Sequence, residues 1–113
     1  MKRKIVLAMA LLGVQSLAWS AEITVAAASS LSDAFKVIAA QFEKQHPAVK
    51  VNLTFGSSGT LLQQLRYGAP IDVFASADQK TMNDAQNFFL IQNATRTDFT
   101  SNRLVLITST RNP

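Results

Sequence analysis

Val49-Lys50-Val51-Asn52-Leu53-Thr54-Phe55, Gly56-Ser57-Ser58-Gly59-Thr60, Leu61 to Tyr67, Gly68-Ala69-Pro70 and Ile71-Asp72-Val73-Phe74-Ala75 follow one another without a break. The first piece alternates apolar and polar residues with period two, the mark of a half-buried strand. The glycine- and serine-rich piece is a turn. Leu61 to Tyr67 reads as a short helix, closed by Gly68 at the C′ position where glycine is favoured. Ile71 to Ala75 is a second strand. A strand, a helix and a strand in sequence make a parallel pair with the helix packed on one face.

The same grammar extends outward. Upstream, Glu22 to Ala27 is an apolar strand and Ala28-Ser29-Ser30 its exit. Leu31 to Gln45 reads as a helix, because Leu31, Ala34, Phe35, Ile38 and Phe42 recur on one face. Ser30 is the expected N-cap, with Asp33 three residues on as a capping-box-like partner, and Pro47 stops the helix. Downstream, Ser76-Ala77-Asp78 caps a third helix, Gln79 to Phe89. Leu90 to Asn102 is polar and irregular, and Arg103 to Thr108 reads as a fourth strand. The expected fold is α/β, a parallel-sheet lobe of βαβ units.

The first 20 residues belong to a different grammar. Lys2, Arg3 and Lys4 precede the apolar run Ile5 to Val14, and Ala18-Trp19-Ser20 places small residues where a signal peptidase inspects them. The run is too short to span a bilayer, which takes about 20 helical residues. Residues 1–20 are therefore read as a cleaved leader and 21–113 as the exported lobe. The chain has 11 basic and 7 acidic residues, a net +4. The leader holds three of the bases and no acid, so the remainder is nearly neutral. Its cations are scattered singly, which sets nucleic acid aside as a partner. With no cysteine there are no disulfides, thiolate metal sites or lipid-acceptor thiol. His46, before Pro47, reads as a polar helix-end residue.

Ligands of open parallel sheets bind beyond the carboxyl ends of the strands. Three turns meet there, at Ala27 to Ser30, Gly56 to Thr60 and Ser76 to Asp78. The first two are rich in hydroxyls and feed helix N-termini, whose free N–H groups and dipole favour an anion. Each serine also has a plain capping role. Enzymatic readings fit less well. Gly56-Ser57-Ser58-Gly59 misses the Gly-x-Ser-x-Gly spacing of a nucleophile elbow by one residue, and His46 lies at the wrong end of its helix to serve as a base. No lysine follows the glycines as a phosphate-binding loop requires, and the dinucleotide fingerprint is absent. Asp72 reads as a strand-face residue and Asp78 as an N-cap. Phe35, Phe42, Phe74, Phe88 and Phe89 read as core, and Tyr67 as a partly exposed ring.

Three segments, Ile23-Thr24-Val25-Ala26-Ala27-Ala28-Ser29-Ser30-Leu31, Phe55 to Leu61, and Gly68 to Gln79 ending in Ala-Asp-Gln, together resemble the periplasmic molybdate-binding proteins of ABC transporters. The resemblance implies two α/β lobes, type II-like, closing over one molybdate or tungstate held by serine hydroxyls and backbone N–H groups. Residues 21–113 correspond to the N-terminal lobe, and the second lobe has no counterpart here. Ser30 and Ser58 match the family's two loop serines, and they touch the oxyanion's oxygens rather than the metal. The resemblance further implies a monomer in the periplasm, no cofactor, no catalysis, and a membrane permease as partner. Sulfate is the alternative oxyanion, and a serine-nucleophile enzyme the alternative activity.

Overall fold

The computed structural model describes residues 20–109. The expected leader therefore lies, but for Ser20, outside the described residues. Three strands, β1 (Ala21–Ala28), β2 (Val49–Gly56) and β3 (Val73–Ala75), alternate with three helices, α1 (Ser32–Gln45), α2 (Ser58–Arg66) and α3 (Gln79–Asn87). All pairings are parallel and the strand order is β2-β1-β3. β1 is thus central, and its residues Ala26, Ala27 and Ala28 are buried. The α/β parallel-sheet class expected from the sequence is the class observed.

The order fixes the layers. With right-handed crossovers, moving from β1 out to β2 and back past β1 to β3 puts α1 and α2 on opposite faces. On the α1 face, Val25, Ala27 and Ala75 form a cluster packed by Ile23, Leu31, Phe35, Val51, Leu53 and Phe55. Beyond Glu22 at its start, the other face of β1 presents Thr24, Ala26 and Ala28, small side chains that let α2 approach closely. Leu61, fully buried, fills that approach. A Cβ at Gly56 would sit 3.3 Å from Leu61 Cδ2, so the glycine ending β2 makes room for the leucine. Gly68, at φ +84°, closes α2 as expected, with its N–H on Leu65 O and the Ala69 N–H on Gln64 O.

Several expectations are corrected. β3 begins at Val73 rather than Ile71, because the Ile71 N–H turns back to Ala69 O. Asp72 is not a strand-face residue. Its N–H donates to Thr24 O (2.9 Å) and its carboxylate accepts from the Thr24 N–H (2.8 Å), which locks β3 onto β1. Residues 103–108 join no sheet; Leu104 and Leu106 are fully exposed. Phe88 and Phe89 are not core, for α3 stops at Asn87 and Phe89 is 90% exposed. Phe42 lies at the rim, its ring 4.4 Å from that of His46. Leu90 to Asn102 is irregular, as expected, with one 3-10 turn at Asn93–Thr95.

Candidate anion site at the carboxyl edge of the sheet

The register places the turns. Ala28 pairs with Gly56, and Ala27 with Ala75, so all three β→α turns leave the same edge within a few residues. Ser30 and Ser58 each stand two positions beyond that Ala28–Gly56 pair. Adjacent strands are about 4.8 Å apart, so the two turns start side by side on this edge.

The turn into α2 is built around two serines with different tasks. Ser57 is the N-cap: its Oγ accepts from the Thr60 N–H (3.2 Å) and lies 2.7 Å from Thr60 Oγ1. The helix therefore starts at Ser58, three residues earlier than the glycine-rich reading of this turn predicts. Ser58 is buried, with 8% of its surface exposed. Its Oγ accepts from the Ala77 N–H at 2.9 Å. Among the described residues no acceptor takes its hydroxyl proton, which leaves Ser58 as a donor aimed from a fixed oxygen. By helix geometry the Ser58 and Gly59 N–H groups have no partner within α2, and no acid lies in its first turn.

The turn out of β1 differs from expectation. Ser30 does not cap α1. Ala28 (φ −54°, ψ 142°) leads into a 3-10 turn at Ser29–Leu31, which runs into α1, and no side chain caps either start. The chain enters the helical path before Ser30, so Ser30 sits inside the first turn with an exposed hydroxyl. The N–H groups of this uncapped start are open, with Asp33 the acid of the first turn of α1.

The third turn is already occupied by the chain itself. Asp78 is the N-cap of α3 and accepts from the Thr81 N–H at 2.7 Å. That backbone bond holds its carboxyl below the ordinary 3.8; burial opposes the shift, and the hydroxyls of Thr81 and Ser76 and the Lys80 charge add to it. Ser76 ties the turn, its hydroxyl donating to Asp78 O (2.8 Å) and accepting from the Asp78 N–H (3.2 Å). A carboxylate on this helix start excludes a second anion there. Asp78→Ala is expected to lower stability by about 1 kcal/mol. A carboxyl with a lowered folded pKa contributes above its unfolded pKa and loses that contribution as pH falls through the folded value. The gap in melting temperature between wild type and variant should hold near neutrality and close on acidification below about 4, as a thermal melt series would record.

An open groove of about 1210 Å³ runs along this edge, lined by Ser30, Ser76, Ala77, Asp78, Gln79 and Phe99, among others. Ser58 does not line it and meets it only through Ala77. The outer wall is fastened by Arg96, a residue for which the sequence gives no ligand motif. Its guanidinium donates to Gln86 Oε1, Gln79 Oε1 and Asn83 Oδ1, each at 2.7 Å, and Gln79 Nε2 donates to Asp98 Oδ1. Phe99 then meets Phe35 edge-on at 6.1 Å. The only hint in sequence is the amide stripe Gln79, Asn83, Gln86 at i, i+4, i+7. Among the described residues no group of three His, Cys, Asp or Glu could hold a metal ion.

Residues 23–113 match the family of bacterial extracellular solute-binding proteins. The chain is 46% identical over 92 residues to the molybdate-binding protein ModA of Escherichia coli, covering 81% of this chain and 35% of that protein. It is 41% identical over 92 residues to ModA of Haemophilus influenzae, covering 81% and 36%. Among solved structures, a substrate-binding domain assigned to a molybdenum ABC transporter from Clostridium difficile superposes with TM-score 0.59 at 39% identity, covering 61% of this chain and 30% of that one. The chain thus spans about a third of the length of the curated relatives it matches.

Proposed function

Because this chain belongs to the bacterial extracellular solute-binding protein family, we propose that it supplies one wall of a site for a tetrahedral, fully deprotonated oxyanion, molybdate or tungstate, within the binding component of an ABC transporter. One observation carries this reading. Ser58 is buried at the start of α2, its oxygen is held by the Ala77 N–H, and its proton has no acceptor among the described residues. A hydroxyl so placed donates to an acceptor-only ion. Ser30, beside the open N–H groups ahead of α1, is the second donor. Both act on the ion's oxygens, and no counter-charge is needed, because helix N-termini supply positive potential.

The names of the matched relatives support molybdate as the ligand. In this reading residues 1–20 are a cleaved leader and residues 21–113 the N-terminal lobe. The longer protein's second lobe closes over the ion in the periplasm and delivers it to a membrane permease. The role is capture, not turnover, and requires no cofactor. The test is calorimetric titration of the exported protein with molybdate, tungstate, sulfate and phosphate. Molybdate and tungstate should bind tightly and phosphate, which carries a proton near neutral pH, poorly. Tight binding of sulfate with none of molybdate would reassign the ligand, and hydrolysis of activated esters would reassign the site to catalysis.

A further inference from the structure

The edge opposite the candidate anion site carries an arrangement that the binding reading does not use. α2 and α3 end side by side there, and each ends in the same hydrogen-bonded reversal. In α2 the residue in the left-handed position is Gly68, at φ +84°. In α3 it is Phe89, at φ +56°, with its N–H on Gln86 O and the following Leu90 N–H on Ala85 O. A bulky L-residue is unfavourable in that conformation, which glycine adopts freely. Burial does not offset this, since the Phe89 ring is 90% exposed. Phe89 is therefore unfavourable twice over within its own chain. It has company: Tyr67 is 88% exposed, and Phe88 is half-exposed under the Arg66 guanidinium, 4.5 Å from its centroid.

We infer that Tyr67, Phe88 and Phe89, bordered by Arg66, form a contact surface for an anionic lipid–water interface. Two features favour lipid over protein. The rings offer on the order of 400 Å² together, about half of the roughly 800 Å² per partner that a stable dimer buries. Arg66 is the basic residue at the end of α2 and has no carboxylate within ion-pair distance among the described residues, while Asp84, in the last turn of α3, is paired with Lys80 at 2.8 Å. The acids toward this edge, Glu22, Glu43 and Asp72, are each held by a donor on or beside the strands, from Asn52, Val51 and Thr24. Aromatic rings with an adjacent cation suit the headgroup layer, where the ring is dehydrated and the charge stays wet.

The chain has no cysteine, so Asn87→Cys gives a single attachment point for a nitroxide beside the rings. In the exported protein, without residues 1–20, and with phosphatidylcholine vesicles containing phosphatidylglycerol, the label should gain accessibility to oxygen and lose it to a water-soluble nickel complex. Adding Phe89→Gly should lower lipid partition of this site about ten-fold, yet raise the melting temperature, because it relieves the backbone. Opposite signs in the two measurements separate a contact role from misfolding. A label that stays in water with the vesicles overturns the inference, as does equal partition of both forms. Spin–spin broadening without lipid that disappears in Phe89→Gly would assign the rings to a second copy of the chain and overturn it as well.

Discussion

Leu61→Ala is expected to cost about 2–5 kcal/mol of folding stability, the range for emptying a buried leucine, out of the roughly 5–15 kcal/mol that holds a typical domain. Leu61 is the largest fully buried side chain of the described residues. The site around it cannot collapse easily. Gly56 is on one side, with no side chain to move in, and Ala26 and Ala28 present methyl groups on the strand beneath. With no side chain at Gly56 and only methyl groups on β1 to move in, these walls relax little, which favours the upper part of the range. Because Leu61 follows the first turn of α2, the loss should also loosen Ser58. Chemical denaturation should show a lower midpoint with an unchanged slope, the signature of lost stability without a changed denatured state. Leu61→Met, which conserves volume, should cost less than about 1.5 kcal/mol.

How far the sequence speaks can be followed along the chain. β1, β2 and the crossovers are legible because burial and period agree there: the alternation of Val49 to Phe55 survives in a strand paired residue by residue with β1. The start of α2 is not legible, since Gly59 in a glycine- and serine-rich stretch reads as turn, while the Ser57 hydroxyl captures the Thr60 N–H and recruits Ser58 to Thr60 into the helix. Ser30 looks like a cap for the same reason that Ser57 is one, a serine ahead of an apolar periodic run. The difference lies in the 3-10 entry at Ser29–Leu31, which no side-chain pattern announces. Arg103 to Thr108 has the composition of a strand, but strand propensity is realised through neighbours, and these residues form no strand of the β2-β1-β3 sheet. Phe88 and Phe89 fail differently: hydrophobicity says core, whereas the helix ends at Asn87, two residues short of the expected end, and the chain reverses at Phe89.

The same division applies to the site. That two serine-rich turns share one edge follows from parallel connectivity alone. Which hydroxyl is held, and by what, depends on Ala77, whose contribution is a backbone N–H and so leaves no mark on residue identity. The Asp78 cap, by contrast, is readable directly, because a side chain performs it. The site thus combines parts that sequence encodes through side chains with parts encoded through main-chain position.

Ser58→Ala should weaken oxyanion binding by the exported protein roughly 10- to 150-fold, corresponding to about 1.5–3 kcal/mol for a hydrogen bond to a charged acceptor. The upper end is favoured by burial, since water cannot readily take the place of a hydroxyl with 8% of its surface exposed. The variant also strips the Ala77 N–H of its acceptor, so a stability loss of about 1–3 kcal/mol should accompany it. Two controls separate the effects. Ser57→Ala removes the α2 cap and should cost about 1 kcal/mol of stability, with affinity falling less than in Ser58→Ala once measured well below the melting transition. Ser30→Ala removes an exposed hydroxyl that caps nothing, so it should lower affinity with little change in melting temperature. Titration calorimetry with molybdate, paired with thermal melts, reads all three. If Ser58→Ala and Ser30→Ala both retain wild-type affinity, the ion is not bound at the carboxyl edge of this sheet. If only Ser58→Ala loses affinity, the site is built on α2 and the Ala77 turn alone, and the uncapped start of α1 serves the fold rather than the ligand.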